Sequence, residues 1–212
     1  MLENSLKKIG VKFAETKQDR SKKAIRNLVE AAEHLVASGD ARNLNARDLS
    51  RVSGYSLGAL VQRLGKVENV FLHAIAYGRE RHLRAICAKA EEFAGNVTTF
   101  EFAEFLVDLG LHTMKNIVGP SIMRYYENRA LGRVNSLADI HSYTDETVPT
   151  LMKIIEQDKT GTFRNVTPFE TKYLARSLFH ILERPFIESD PNAGSEEHRS
   201  MAVRFVASML RK

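Results

Sequence analysis

From Ser21 almost to the C-terminus, apolar residues recur at i, i+3, i+4 and i+7, and no stretch alternates apolar with polar. That period lines one face of a helix and does not fit a strand. The first stripe, Ile25, Leu28, Val29, Ala32, Leu35 and Val36, predicts a helix over about 21–38 that stops at Gly39. Two short segments follow. One spans about 46–53 with Asn45 as its cap, and the other starts after Ser56 and ends at Gly65. A long helix is predicted over about 67–94, with Arg79, Glu80, Arg84 and Glu91 on its polar face. Further helices are expected over about 99–117, 120–132 and 136–157, the last kinked or broken by Pro149. Thr167-Pro168-Phe169-Glu170 has a capping threonine, a proline at N1 and a glutamate at N3, and that helix should stop near Pro185. A final helix starts at Ser195. The fold class is all-α.

Charge is unevenly placed along this helical chain. The first 66 residues hold 13 Lys/Arg against 7 Asp/Glu, and the remainder hold 18 against 19. All the excess positive charge therefore lies in the first third, as expected of an end that binds a polyanion. At 212 residues the chain can bury a core unaided. One cysteine, Cys87, excludes an internal disulfide and any multi-cysteine metal site. No apolar run approaches the roughly 20 residues of a membrane span. The N-terminal residues lack a secretory pattern, so a cytoplasmic location with no membrane partner is expected.

Residues 45–64 carry the chemistry. Two short helices around Gly54 match a helix-turn-helix unit, with Leu49 and Val52 set to meet Leu60 and Leu64. Ser50 is small where the helices approach, and Gly54 can take a left-handed turn. The second helix would enter a DNA major groove with its N-terminal residues at base edges. Arg47, Arg51, Arg63 and Lys66 lie where phosphates could be.

The run LNARDLSRVSGYSLGALVQRLGKVENVF, residues 44–71, resembles the DNA-binding signature of the TetR family of transcriptional regulators. With the flanking helices, the resemblance covers about residues 21–75. It implies a three-helix DNA-binding domain over 21–66 and a helical bundle over 67–212 for ligand binding and dimerisation, while Lys7, Lys8, Lys12, Lys17 and Arg20 make residues 1–20 either a basic arm for DNA or a terminus that frays or packs on the body. About nine helices are expected per subunit. It also implies a homodimer on a pseudo-palindromic operator, with half-sites about 10 bp or a multiple apart. The usual role is that of a repressor released by a small-molecule effector. Carried over by position, Asn45 and Arg47 open the supporting helix. Ser56, Leu57, Gly58 and Ala59 head the recognition helix, and Gln62 and Arg63 follow. Three positions depart from the pattern. Val61 stands where a tyrosine usually touches a phosphate, Leu64 replaces a core phenylalanine, and Val67 replaces a lysine beside Lys66.

The middle helices offer Phe100, Phe102, Phe105, Met114, Met123, Tyr125 and Tyr126, beside Tyr77 and Cys87, as candidate pocket lining, a list that also describes an ordinary core. Leu174, Leu178, Ile181, Leu182, Phe205 and Met209 are the candidate dimer face on the last two helices. Histidines stand singly, with no H-E-x-x-H, G-x-S-x-G or Gly-rich phosphate loop, so no catalytic residue, metal or cofactor is assigned. Two other readings stand beside the regulator. One is a helical sensor or interaction protein without DNA binding, and the other is a small all-α enzyme with a cofactor in its bundle.

Overall fold

The computed structural model describes residues 19–93, 95–132 and 142–212, and residues 1–18 of the basic arm expected over 1–20 lie outside them. Nine α-helices are present among the described residues. In chain order they are α1 (Asp19–Ala37), α2 (Ala46–Ser53), α3 (Leu57–Leu64), α4 (Glu68–Glu91), α5 (Thr99–Thr113), α6 (Pro120–Ala130), α7 (Val148–Glu156), α8 (Pro168–Glu188) and α9 (Glu196–Leu210). The described residues fall into two compact units. Those within Met1–Glu80 and Ser121–Ile140 form one, and those within Arg81–Pro120 and His141–Lys212 form the other.

The first unit is built on the stripe read from α1. Leu28, Ala32 and Leu35 are buried with Leu49 of α2, Leu60 and Leu64 of α3, and Val70, Phe71 and Ile75 of α4, and Val52 packs against them. Ile122, Tyr126 and Ala130 of α6 close the same core. Ser121 ties α6 to the end of the first helix, donating its hydroxyl to the Gly39 carbonyl at 2.8 Å. Arg79 is not on a solvated face as its spacing suggests. It is 8% exposed, and its guanidinium lies 5.2 Å from the Tyr126 ring centre.

In the second unit α9 packs chiefly on α5, and α8 on α7 and on a 3₁₀ turn at Ser142–Thr147. The expected helix over 136–157 is broken into that turn and α7. Pro149 sits in the first turn of α7, where its missing N–H costs nothing. The part expected over 136–141 lies outside the described residues. The helix expected to reach residue 117 ends at Thr113 and widens into a π turn over Met114–Val118, just ahead of Gly119 and Pro120. Thr98 with Glu101 and Thr167 with Glu170 form capping boxes at the starts of α5 and α8. Arg199 of α9 holds Asp108 of α5 through two hydrogen bonds, at 2.6 and 2.9 Å.

Pro185 does not stop α8, which runs on to Glu188. A proline there leaves the Ile181 carbonyl without its helical donor. His198 of α9 supplies another, its Nε2 lying 3.0 Å from that oxygen. The Nδ1 atom of the same ring accepts the Gly194 N–H at 2.9 Å. These two partners fix a neutral ring protonated at Nε2.

A candidate nucleic-acid interface and an apolar cavity

Local chemistry sets the two short helices. Asn45 caps α2, its Oδ1 accepting the Asp48 N–H at 3.0 Å. Its Nδ2 donates to the Arg42 carbonyl and to Asp48 Oδ2, both at 2.7 Å. Asn45 therefore serves as an engaged cap that holds the start of α2. The Asn45 amide and then the Arg51 guanidinium keep the Asp48 carboxyl below its ordinary range. Gly54 ends α2 at φ 74°, a left-handed conformation that L side chains rarely adopt. Ser50 then donates to the Tyr55 carbonyl at 2.6 Å, closing the turn between the helices. Ser56 caps α3 by accepting the Ala59 N–H at 3.3 Å.

The turn fixes which face of α3 looks outward. Leu60 and Leu64 point into the core, while Leu57, Gly58, Val61 and Gln62 are exposed. Leu57 is 50% exposed and Val61 57%. Both are residues that the family resemblance sets on the recognition helix, and both lie on the surface. Arg47, Arg51 and Lys66 are exposed, and Arg51 pairs with Asp48 at 3.0 Å. Asn45 and Lys66 border one open hollow of about 590 Å³. Arg63 is held back. Its guanidinium lies 5.4 Å from the Tyr55 ring centre, and its Nη1 donates to the Ala59 carbonyl at 3.2 Å.

The second unit contains a cavity of about 60 Å³. Its walls come from the end of α4 (Ile86, Cys87, Ala90), from α5 (Phe102, Leu106, Gly110), and from Thr147, α7 and α8. Of the candidate pocket residues Cys87 and Phe102 line it. Phe105 packs on Phe93, with ring centres 4.2 Å apart, and Met114 is buried elsewhere in the unit. Tyr77, Met123 and Tyr126 belong to the first unit. Two residues of the candidate dimer face, Leu178 and Leu182, also line the cavity, and Leu182 is 3% exposed. Leu174, Ile181 and Met209 are half-buried, and Phe205 is 40% exposed. More exposed apolar side chains on these helices, Phe169 at 71% and Tyr173 at 50%, are not in the candidate dimer face.

Burial pushes the Cys87 thiol up from its ordinary value, against a smaller opposing pull from Thr150. His82, half-buried, bonds the Thr113 hydroxyl at 2.6 Å, and burial lowers its pKa. Among the described residues no group of three or more His, Cys, Asp or Glu is placed to hold a metal ion, and no helix is long and apolar enough to cross a membrane.

No protein-family model matches the chain, and no curated protein does. Solved structures do match. A TetR-family transcription regulator from Shewanella sp. PV-4 aligns with 89% of this chain and 98% of its own, at 14% identity and a TM-score of 0.54. One from Mesorhizobium loti MAFF303099 aligns with 92% and 100%, at 13% identity and a TM-score of 0.55. One from Marinobacter aquaeolei VT8 covers 91% and 98%, at 16% identity and a TM-score of 0.50. The likeness is one of fold: this chain has the all-α fold of TetR-family transcription regulators.

Proposed function

We propose that this chain is a DNA-binding transcription regulator of the TetR type, a homodimer that represses from a pseudo-palindromic operator and is released by a small molecule. The observation that carries the reading is the outward row of α3, exposed on a rigid helix-turn-helix and bordered by Arg47 and Lys66. Cations at the border bind phosphates without regard to sequence, and the exposed row meets base edges. As a regulator of DNA it has no catalytic role and acts in the cytoplasm.

The effector belongs to the cavity of the second unit. Its lining holds no charged side chain, and only Cys87, Thr147 and Thr150 offer polar atoms. That chemistry suits an uncharged, largely apolar molecule. At about 60 Å³ the cavity is smaller than the roughly 150 Å³ that holds a benzene. A drug-sized ligand must therefore displace the walls, and displacement is what lets a ligand prefer one conformation over another. Helix α4 offers a covalent route for the signal. It supplies Phe71 and Ile75 to the core under α2 and α3, and Ile86, Cys87 and Ala90 to the cavity wall. For the dimer, α8 and α9 offer Phe169, Tyr173, Met201 and Phe205 to a second subunit. An obligate interface of that kind buries upward of about 2,000 Å².

Binding of the purified protein to its own upstream DNA, against a scrambled duplex at two salt concentrations, tests the reading. Tight, selective binding that weakens steeply with salt is expected, with a footprint over two half-sites. Equal and weak binding to both duplexes overturns it.

A further inference from the structure

The outward row of α3 has a composition that restricts what it can read. Between Ser56 and Arg63 the exposed side chains are two aliphatic groups, one glycine and one amide. Leu57 and Val61 stand one helical turn apart on the same side, and Gly58 and Gln62 form the adjacent row. A Cβ built on Gly58 would meet nothing within 4 Å, so that strip of the helix is bare backbone open to a close approach. Arg63, the one cation within α3, is bound to the carbonyl of Ala59 and lies over Tyr55, away from this row.

The major groove shows four chemistries. Guanine presents two acceptors suited to Arg or Lys, adenine suits an amide, cytosine offers a donor, and thymine alone carries a methyl group. No cation on the row serves guanine, and no carboxylate serves cytosine. Valine at position 61 cannot make the phosphate hydrogen bond that the family resemblance attaches to a tyrosine there, and it offers methyl groups instead. The flanking charge fits the same occupant. Residues 45–66 hold four cations against one acid, and exposed Arg47, Arg51 and Lys66 lie at the ends of the row rather than on it.

Resting on the regulator reading above, we infer that Leu57 and Val61 read thymine 5-methyl groups and that Gln62 reads a neighbouring adenine, so that each half-site is recognised as an A·T-rich step. Specificity is then carried by buried methyl groups, and the cations contribute affinity without choosing sequence.

Selection of the full-length protein on random duplexes, followed by uracil-for-thymine exchange in the selected sequence, tests this. Uracil keeps every hydrogen-bonding atom of thymine and lacks only the methyl. The expected result is a consensus with thymine and adenine at the contacted positions, and a loss of affinity of about fourfold per methyl removed. Leu57→Ala and Val61→Ala should each abolish the effect of one uracil. Both side chains are exposed, so neither variant disturbs the core, and unchanged unfolding curves check this. A consensus built on G·C pairs, or indifference to uracil, overturns the inference and leaves the regulator standing. Failure to enrich any sequence overturns the regulator reading, and this inference with it.

Discussion

His198 holds α8 together across its internal proline, and a double-mutant cycle can measure that. His198→Ala removes the donor to the Ile181 carbonyl and the acceptor of the Gly194 N–H. Both groups are only half-buried, so each orphan should cost near the low end of the usual range, about 1 kcal/mol. Losing a ring that is 5% exposed and packs near Phe186, with centres 6.1 Å apart, adds a comparable amount. The sum is about 3 kcal/mol, or roughly 6–12 °C in Tm for a chain of this length. Pro185→Ala restores a backbone N–H that can reach the same carbonyl. In that background His198→Ala should therefore cost about 1 kcal/mol less, and this difference is the coupling between the two residues. Urea unfolding followed by circular dichroism, at one fixed protomer concentration, reads all four corners of the cycle. If His198→Ala costs the same in both backgrounds to within about 0.4 kcal/mol, the imidazole does not stand in for the missing helical donor, and the reasoning is refuted.

Three further outcomes are expected. Arg47→Ala, at an exposed position bordering α3, should weaken binding to specific and random duplexes alike and lower the log–log salt slope by about 0.9, as titrations at several salt concentrations would show. Cys87, its thiol raised by burial, should react slowly with iodoacetamide at neutral pH, and an apolar ligand that fills the cavity should slow it further. Stability should fall with acidity. Burial lowers the pKa of both His73 and His82, so the unfolded chain takes up protons first, and the stability they contribute is complete above pH 6.5 and lost as pH drops through their folded values. His82→Gln should flatten this dependence in unfolding curves taken between pH 5 and 8, and an unchanged slope would remove His82 from the account.

Much of the fold was legible because helices announce themselves locally. The stripe of α1, the Asn45 and Ser56 caps and the Thr167 capping box each lie within a few residues, and all of them are in place. What escaped depends on partners distant in sequence. Pro185 reads as a stop because its remedy, His198, arrives thirteen residues later on another helix. Arg79 reads as a surface charge because Tyr126, which covers it, lies on α6. The break before α7 was half visible in Pro149, whose place in a first turn requires a boundary that periodicity alone does not supply.

The two candidate sites differ in legibility for the same physical reason. A recognition helix is a local object, and its boundaries, caps and turn can be read from about twenty residues. Its reading face still needed the structure, because Arg63 reads as a phosphate contact until its guanidinium is seen over Tyr55 and bonded to the Ala59 carbonyl. A cavity is assembled from α4, α5, α7 and α8, and any aliphatic residue on those helices fits either its wall or the core beside it. Sequence points to Cys87 and Phe102 for the lining, while it sets Leu178 and Leu182 on the partner face and Ile154 at no site at all. Identity of side chain could not separate these cases, since a Leu facing a void and a Leu facing a neighbour have the same chemistry. Only the shape left between helices separates them, and Gly110 shows how narrowly: a Cβ added there would lie 2.5 Å from Leu182 Cδ1, across the wall of the cavity itself.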